Sequence, residues 1–342
     1  MIKSSDIPPN ATTGIGSLPY LQCAPALDSA FWVDIPYFPT LPKVEAKEGI
    51  LAQALTGFPG VYWKTGGDLS FEWDAWERGR EALAEKLGKS YLTGGMTEAF
   101  RAPPGGMWDL FLQRAESDSR YWFKFQLLGP VTASLALRGL ETAAPELAME
   151  LVAQVSEWLF AKALAMSSEL SRRGKRVLFF WDEPGLGTSL SHSPQARWAL
   201  EHLQERSGEL RNLGIQVGVH CCGDWDAVEA LAGEWDFLSL DASVSGEGIL
   251  AKSELLRAFH RRGGRLALGL VPTEPPSTWN SRQEVEQWRA RFAAALGEGD
   301  AKGILAESML TPACGLGLKK LEGSEAVFRL LQEVKIEMSR PW

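Results

Sequence analysis

Cysteine and histidine are both scarce here, four of each in 342 residues. So few cysteines in so long a chain exclude a disulfide scaffold. Free thiols then act as core residues, nucleophiles or metal ligands. Positive charge is in deficit: 35 Lys and Arg against 43 Asp and Glu give a net charge of −8, with a pI of about 5.3. That balance excludes nucleic acid or an anionic membrane as the main partner. No uncharged apolar run approaches the roughly 18 residues that span a bilayer, and the opening MIKSSDIPPNATTG has no apolar signal core. A soluble, cytoplasmic protein is expected. There is no Gly-x-Gly-x-x-Gly fingerprint, no internal repeat and no linker that would divide the chain.

What is present is a regular alternation. Short, nearly continuous apolar segments closed by Gly, Pro or Ser occur at TTGIGSLPY (12–20), YWFKFQLLGP (121–130), KRVLFFWDEP (175–184), GIQVGVHCCG (214–223), DFLSLDAS (236–243), GRLALGLVP (264–272) and GILAESMLTPACG (303–315). Strands buried on both faces have this composition. Helical spacing of apolar residues fills 143–173, 194–212, 226–233, 246–262 and 281–296. Seven strands with helical crossovers, and an eighth expected within 31–70, predict an α/β fold: one (β/α)8 barrel over residues 1–342. Residues 31–120 are rich in Pro and aromatics and parse poorly. They are expected to form elaborated loops over the C-terminal mouth, a lid with a β-hairpin. Six of the fourteen Trp residues, Trp32, Trp63, Trp73, Trp76, Trp108 and Trp122, fall in or beside this region. They either pack loops and core or form a flat docking surface.

Barrel chemistry gathers at the C-terminal ends of the strands. The polar residues there are Ser17, Gln126, Thr132, Asp182, Glu183, His220, Cys222, Asp241 and Cys314. His220 and Cys222 are two apart on a strand and share a face, whereas Cys221 turns away. Cys314 ends the last strand and Asp241 the strand after the His-Cys strand, so each could add a ligand to the same ion. Plain core packing of His220 and the thiols is the competing reading. Asp182 and Glu183, adjacent carboxylates closing an apolar strand, are the catalytic candidates, either binding a cationic group such as an amine or capping a helix that begins at Pro184. Ile15-Gly16-Ser17 can present backbone N–H groups to a carboxylate or form a simple turn.

Taken together, IGSLP (15–19), LLGPVT (127–132), WDEPGL (181–186), HCC (220–222), FLSLDAS (237–243) and TPACGLG (311–317) resemble the C-terminal catalytic barrel of cobalamin-independent methionine synthase, within the superfamily that includes uroporphyrinogen decarboxylase. The motifs occur in the family's order from the start of the chain to its last strand. The resemblance implies a Zn2+ site at His220, Cys222 and Cys314, with Asp241 where the family has a Glu. It implies homocysteine held by Ile15, Ser17 and Asp182. A family His near the end of the seventh strand is absent, with Thr273 or Glu274 in its region, and the family's acidic substrate contact near the second strand has no aligned position. The chain has the length of the short core form, which implies a methylated corrinoid protein as donor. The expected activity is zinc-dependent methyl transfer to the homocysteine thiolate. Alternatives are another thiol acceptor of the coenzyme M type, 5-methyltetrahydrofolate as donor, a metal-free decarboxylase-like barrel, and a corrinoid-protein binding module without turnover.

Overall fold

A computed structural model describes residues 7–44, 48–64, 67–93, 100, 106–137, 139–140 and 142–342. Its centre is a parallel six-stranded sheet of β3 (Trp122–Leu128), β4 (Arg176–Asp182), β5 (Gln216–Cys221), β6 (Phe237–Asp241), β7 (Arg265–Val271) and β8 (Met309–Pro312), hydrogen-bonded in sequence order. Two irregular segments close it. Residues 11–18 pair with β8 through Leu310 N–H to Ala11 O and Thr13 N–H to Leu310 O. Residues 35–41 pair with β3 through Lys124 N–H to Pro36 O and Phe38 N–H to Lys124 O. Parallel bridges between Thr12 and Leu310, Ser17 and Thr40, and Tyr37 and Lys124 complete a ring of eight. The α/β barrel expected from the alternation is the fold observed, and its eighth strand lies within the window 31–70.

Strand periodicity builds two cores. Outward residues such as Phe125, Phe179, Trp181, Val219 and Cys221 pack under the surrounding helices. Inward residues Ala11, Ile35, Trp122, Leu178, Phe180, Phe237, Ala267 and Met309 form a separate plug in the barrel. Above that plug the inward residues become polar: Lys124 and Gln126 on β3, Asp182 on β4, His220 on β5 and Ser239 on β6 are all buried.

Two sequence expectations are corrected. The segment 303–315 is not one strand: a helix at Glu298–Glu307 runs into it and β8 begins at Met309. The Ser308 hydroxyl donates to Ile304 O and finishes the helix. The helix expected over 246–262 is two, Ala242–Ala251 and Ser253–Arg261, broken at Lys252 (φ −105°, ψ 46°). Within 31–120 there is a hairpin of β1 (Val61–Trp63) and β2 (Leu69–Phe71). Trp76, Trp108 and Trp122 are buried while Trp32 is exposed, so the first three serve packing. Residues 45–47, 65–66, 94–99 and 101–105 of the expected excursion lie outside the described residues.

Candidate metal centre

β5 ends in His220 and Cys221, with Cys222 next in chain. Pleating turns His220 inward, and Cys222 follows on the same side. The imidazole Nε2 or Nδ1 and the thiols of Cys222 and Cys314 lie within 4.8 Å of one another. His220 Nδ1 is 2.9 Å from the Ser239 hydroxyl, and Nε2 is buried with no partner among the described residues. A buried imidazole nitrogen left bare beside two thiols is unfavourable unless something binds it. One imidazole and two cysteines are a zinc donor set, with a position left for a further ligand. The residues present therefore fit zinc.

The two thiols lie within 4.8 Å of each other and titrate as a unit. Cys314 is pulled well below the ordinary thiol range, first by the Cys222 thiol beside it and then by the neighbouring His220 imidazole. Cys222 is pushed up, first by the Cys314 thiol and then by burial. Cys221 turns away into the core between barrel and helices; burial pushes its thiol up to about 11. The alternation read in the sequence thus separates the adjacent cysteines.

A cavity of about 580 Å³ opens over the three ligand candidates. Its wall includes Ile15, Ser17, Gln126, Asp182, His220, Cys222 and Cys314, a set drawn from five positions around the ring. Asp182 is 5% exposed and its Oδ1 has no partner among the described residues. Burial raises its carboxyl to about 6, against the opposing pull of His220 and Lys124. The Ser17 hydroxyl accepts from Gly317 N–H at 3.1 Å, and Leu316 N–H donates to Ser17 O. These bonds tie the 15–17 segment to the loop that carries Cys314.

Two sequence-derived candidates stand elsewhere. Asp241 is not in the ligand group. Its carboxylate accepts from Ser243 N–H at 2.9 Å and from the Ser243 hydroxyl, so it caps the helix Ala242–Ala251. Being one methylene shorter than Glu, it closes this local turn readily. Glu183 is fully buried but is absent from the cavity wall. Its oxygens accept from Val131 N–H (2.9 Å), Thr132 N–H (2.7 Å) and the Thr132 hydroxyl (2.6 Å). It caps a helix, as the alternative reading held, but the helix Pro130–Ala136 beyond the neighbouring strand rather than one begun by Pro184. Gly129 makes room for it: a Cβ there would lie 2.1 Å from Glu183 Oε1. Burial raises the Glu183 carboxyl to about 7 against these three hydrogen bonds.

Sequence reasoning missed two groups. Glu48 lines the cavity and accepts from Leu41 N–H at 3.2 Å; it sits in the stretch without periodicity, so nothing local marked it. Lys124 is buried inside the barrel, and its signal was a lone charge within YWFKFQLLGP. Of the two residues offered in place of the family His, Thr273 lines the cavity, and Glu274, which does not, pairs with the cavity-lining Lys319.

Structure comparison finds a likeness to a B12-independent methionine synthase from Shewanella sp. W3-18-1 solved in complex with selenomethionine, at a TM-score of 0.46 and 17% identity, over 66% of this chain and 65% of that one. The likeness concerns the fold alone, and the match spans less than two thirds of that protein. No family model matches the chain, and no curated protein does. No helix among the described residues is long and apolar enough to cross a membrane.

Proposed function

We propose that the chain is a zinc-dependent methyltransferase that methylates the thiolate of homocysteine, with a methylated corrinoid protein as donor. The observation that carries this is the buried, unpartnered His220 Nε2 beside the thiols of Cys222 and Cys314, at the foot of a cavity that also presents an unpartnered Asp182 oxygen. His220, Cys222 and Cys314 would hold the metal, which when bound supplies a Lewis acid that keeps an acceptor thiol deprotonated at neutral pH.

The remaining work falls to this chain's own groups. Asp182, with Glu48 on the same cavity wall, receives the amino group of the acceptor. The 15–17 segment receives its carboxylate through backbone N–H groups and the Ser17 hydroxyl. Both ends held, the thiol is aimed at the ligand cluster. A thiolate less shielded by water is the stronger nucleophile, and the bound metal would offset the cost of keeping it ionised there. A folate donor leaves a basic nitrogen that needs a proton, whereas a corrinoid donor leaves Co(I), which needs none. Among the residues on the cavity wall, Thr273 stands where the family's His would, and a threonine hydroxyl is a poor acid. That favours the corrinoid donor.

The deciding experiment incubates zinc-loaded protein and homocysteine with methylcobalamin or with 5-methyltetrahydrofolate. Methionine from methylcobalamin alone is expected. Turnover with the folate alone would overturn the donor, and methylation of a coenzyme M-type thiol in preference to homocysteine would overturn the acceptor. A metal content below half an equivalent after zinc loading would favour a metal-free barrel.

A further inference from the structure

Lys124 is a charge where barrels of this kind carry packing. It is 2% exposed, rests over the Phe180 ring at 4.9 Å, and makes no ion-pair contact among the described residues. Its Nζ donates to Ile15 O at 2.7 Å and to Gln126 Oε1 at 3.0 Å. A buried ammonium is costly unless acceptors surround it. It can only donate, so the group facing it must be the oxygen edge of the Gln126 amide.

That fixes the other edge. Gln126 Nε2 donates to Phe38 O at 2.7 Å. An amide nitrogen carries two hydrogens, and the second has no acceptor among the described residues, although Gln126 lines the cavity. The amide packs closely against Gly16: a Cβ there would fall 2.8 Å from its carbon and nitrogen. Ser17 N–H likewise has no acceptor among the described residues. The Ser17 hydroxyl accepts from Gly317 N–H and keeps its own hydrogen to give.

We infer that Lys124 orients Gln126 so that its spare N–H, together with the Ser17 N–H and hydroxyl, receives the carboxylate of the acceptor. Gln126 is a binding residue and Lys124 a positioning residue. A flipped amide would turn an acceptor oxygen toward the cavity and repel an anion. The cavity then offers donors to a carboxylate and the Asp182 oxygen to an ammonium, which together select the zwitterionic head of an α-amino acid. This rests on the reading that the site takes an amino-acid thiol.

The test measures binding of three thiols to zinc-loaded protein by calorimetry: homocysteine, 4-mercaptobutanoate, which lacks the amine, and 3-aminopropanethiol, which lacks the carboxylate. Gln126→Leu should weaken the two carboxylates about tenfold, the worth of a hydrogen bond to a charged group, and leave 3-aminopropanethiol unchanged. Lys124→Met should do the same, and the double variant should be no worse than Gln126→Leu. Zinc content should not move in any of them. Equal weakening of all three thiols, no weakening, or a wild type that binds no carboxylate thiol overturns the inference. Binding of 4-mercaptobutanoate but not homocysteine would leave the carboxylate role of Gln126 and Lys124 standing but overturn the selection of a zwitterionic head and sink homocysteine as substrate. Should Lys124→Met fail to fold, Gln126→Leu and Gln126→Glu decide the point, the latter expected to repel both carboxylates.

Discussion

His220 is held from the neighbouring strand by Ser239, with Nδ1 2.9 Å from the hydroxyl, and this bond directs Nε2 toward the thiols. Such outer contacts tune ligand orientation. Ser239→Ala is expected to weaken zinc binding about 10–100-fold, and Cys314→Ser to leave less than half an equivalent bound, both measured by competition with a chromogenic chelator. Full zinc affinity in Cys314→Ser would place the metal elsewhere.

Asp241 gives the contrasting case. Its carboxylate is committed to Ser243. Asp241→Ala should keep its zinc and lose about 1 kcal/mol of stability, the usual worth of such a cap, read from urea denaturation. Loss of zinc in this variant would restore Asp241 as a ligand.

Asp182 and Glu183 should separate cleanly although adjacent. Asp182→Asn leaves the fold and zinc intact and raises the homocysteine dissociation constant about tenfold or more. Glu183→Ala strips the partner from three buried donors and should cost about 2–4 kcal/mol, with zinc per folded molecule unchanged. Equal effects of the two substitutions on homocysteine binding would argue that Glu183 reaches the substrate after all.

A pH effect follows from Lys162. Its Nζ donates to Gln53 O at 2.6 Å under the helix Ile50–Leu55, and burial, then Lys86, lowers it from 10.5 to about 7. Between those values the unfolded chain binds the extra proton, so folding stability rises with pH across that window and is flat below it. Lys162→Met should remove that slope, seen as the difference between the two proteins' denaturation midpoints from pH 7 to pH 10. Parallel curves would show that Lys162 keeps an ordinary affinity for its proton in the fold.

Much of this was legible in the sequence. Continuous apolar runs such as VLFFW and LALGLV announce strands buried on both faces, because a period of two cannot hide one face from an all-apolar run. Gly, Pro and Ser closures put the polar residues at strand ends, and alternation alone separated Cys222 from Cys221. The boundary near Met309 was not legible, since Ile304 and Leu305 suit a helix or a strand equally and only packing chooses. Three decisions belonged to the tertiary structure. It spent Glu183 on the helix after β3, because a buried carboxylate takes the nearest N–H donors once water is gone, and it left Asp241, still open to solvent, to cap its own helix. It drew Glu48 into the cavity from a stretch with no periodicity. And it set Lys124 against Ile15 O and Gln126 against Phe38 O, since ring closure sets which segments are neighbours, and no local pattern records that.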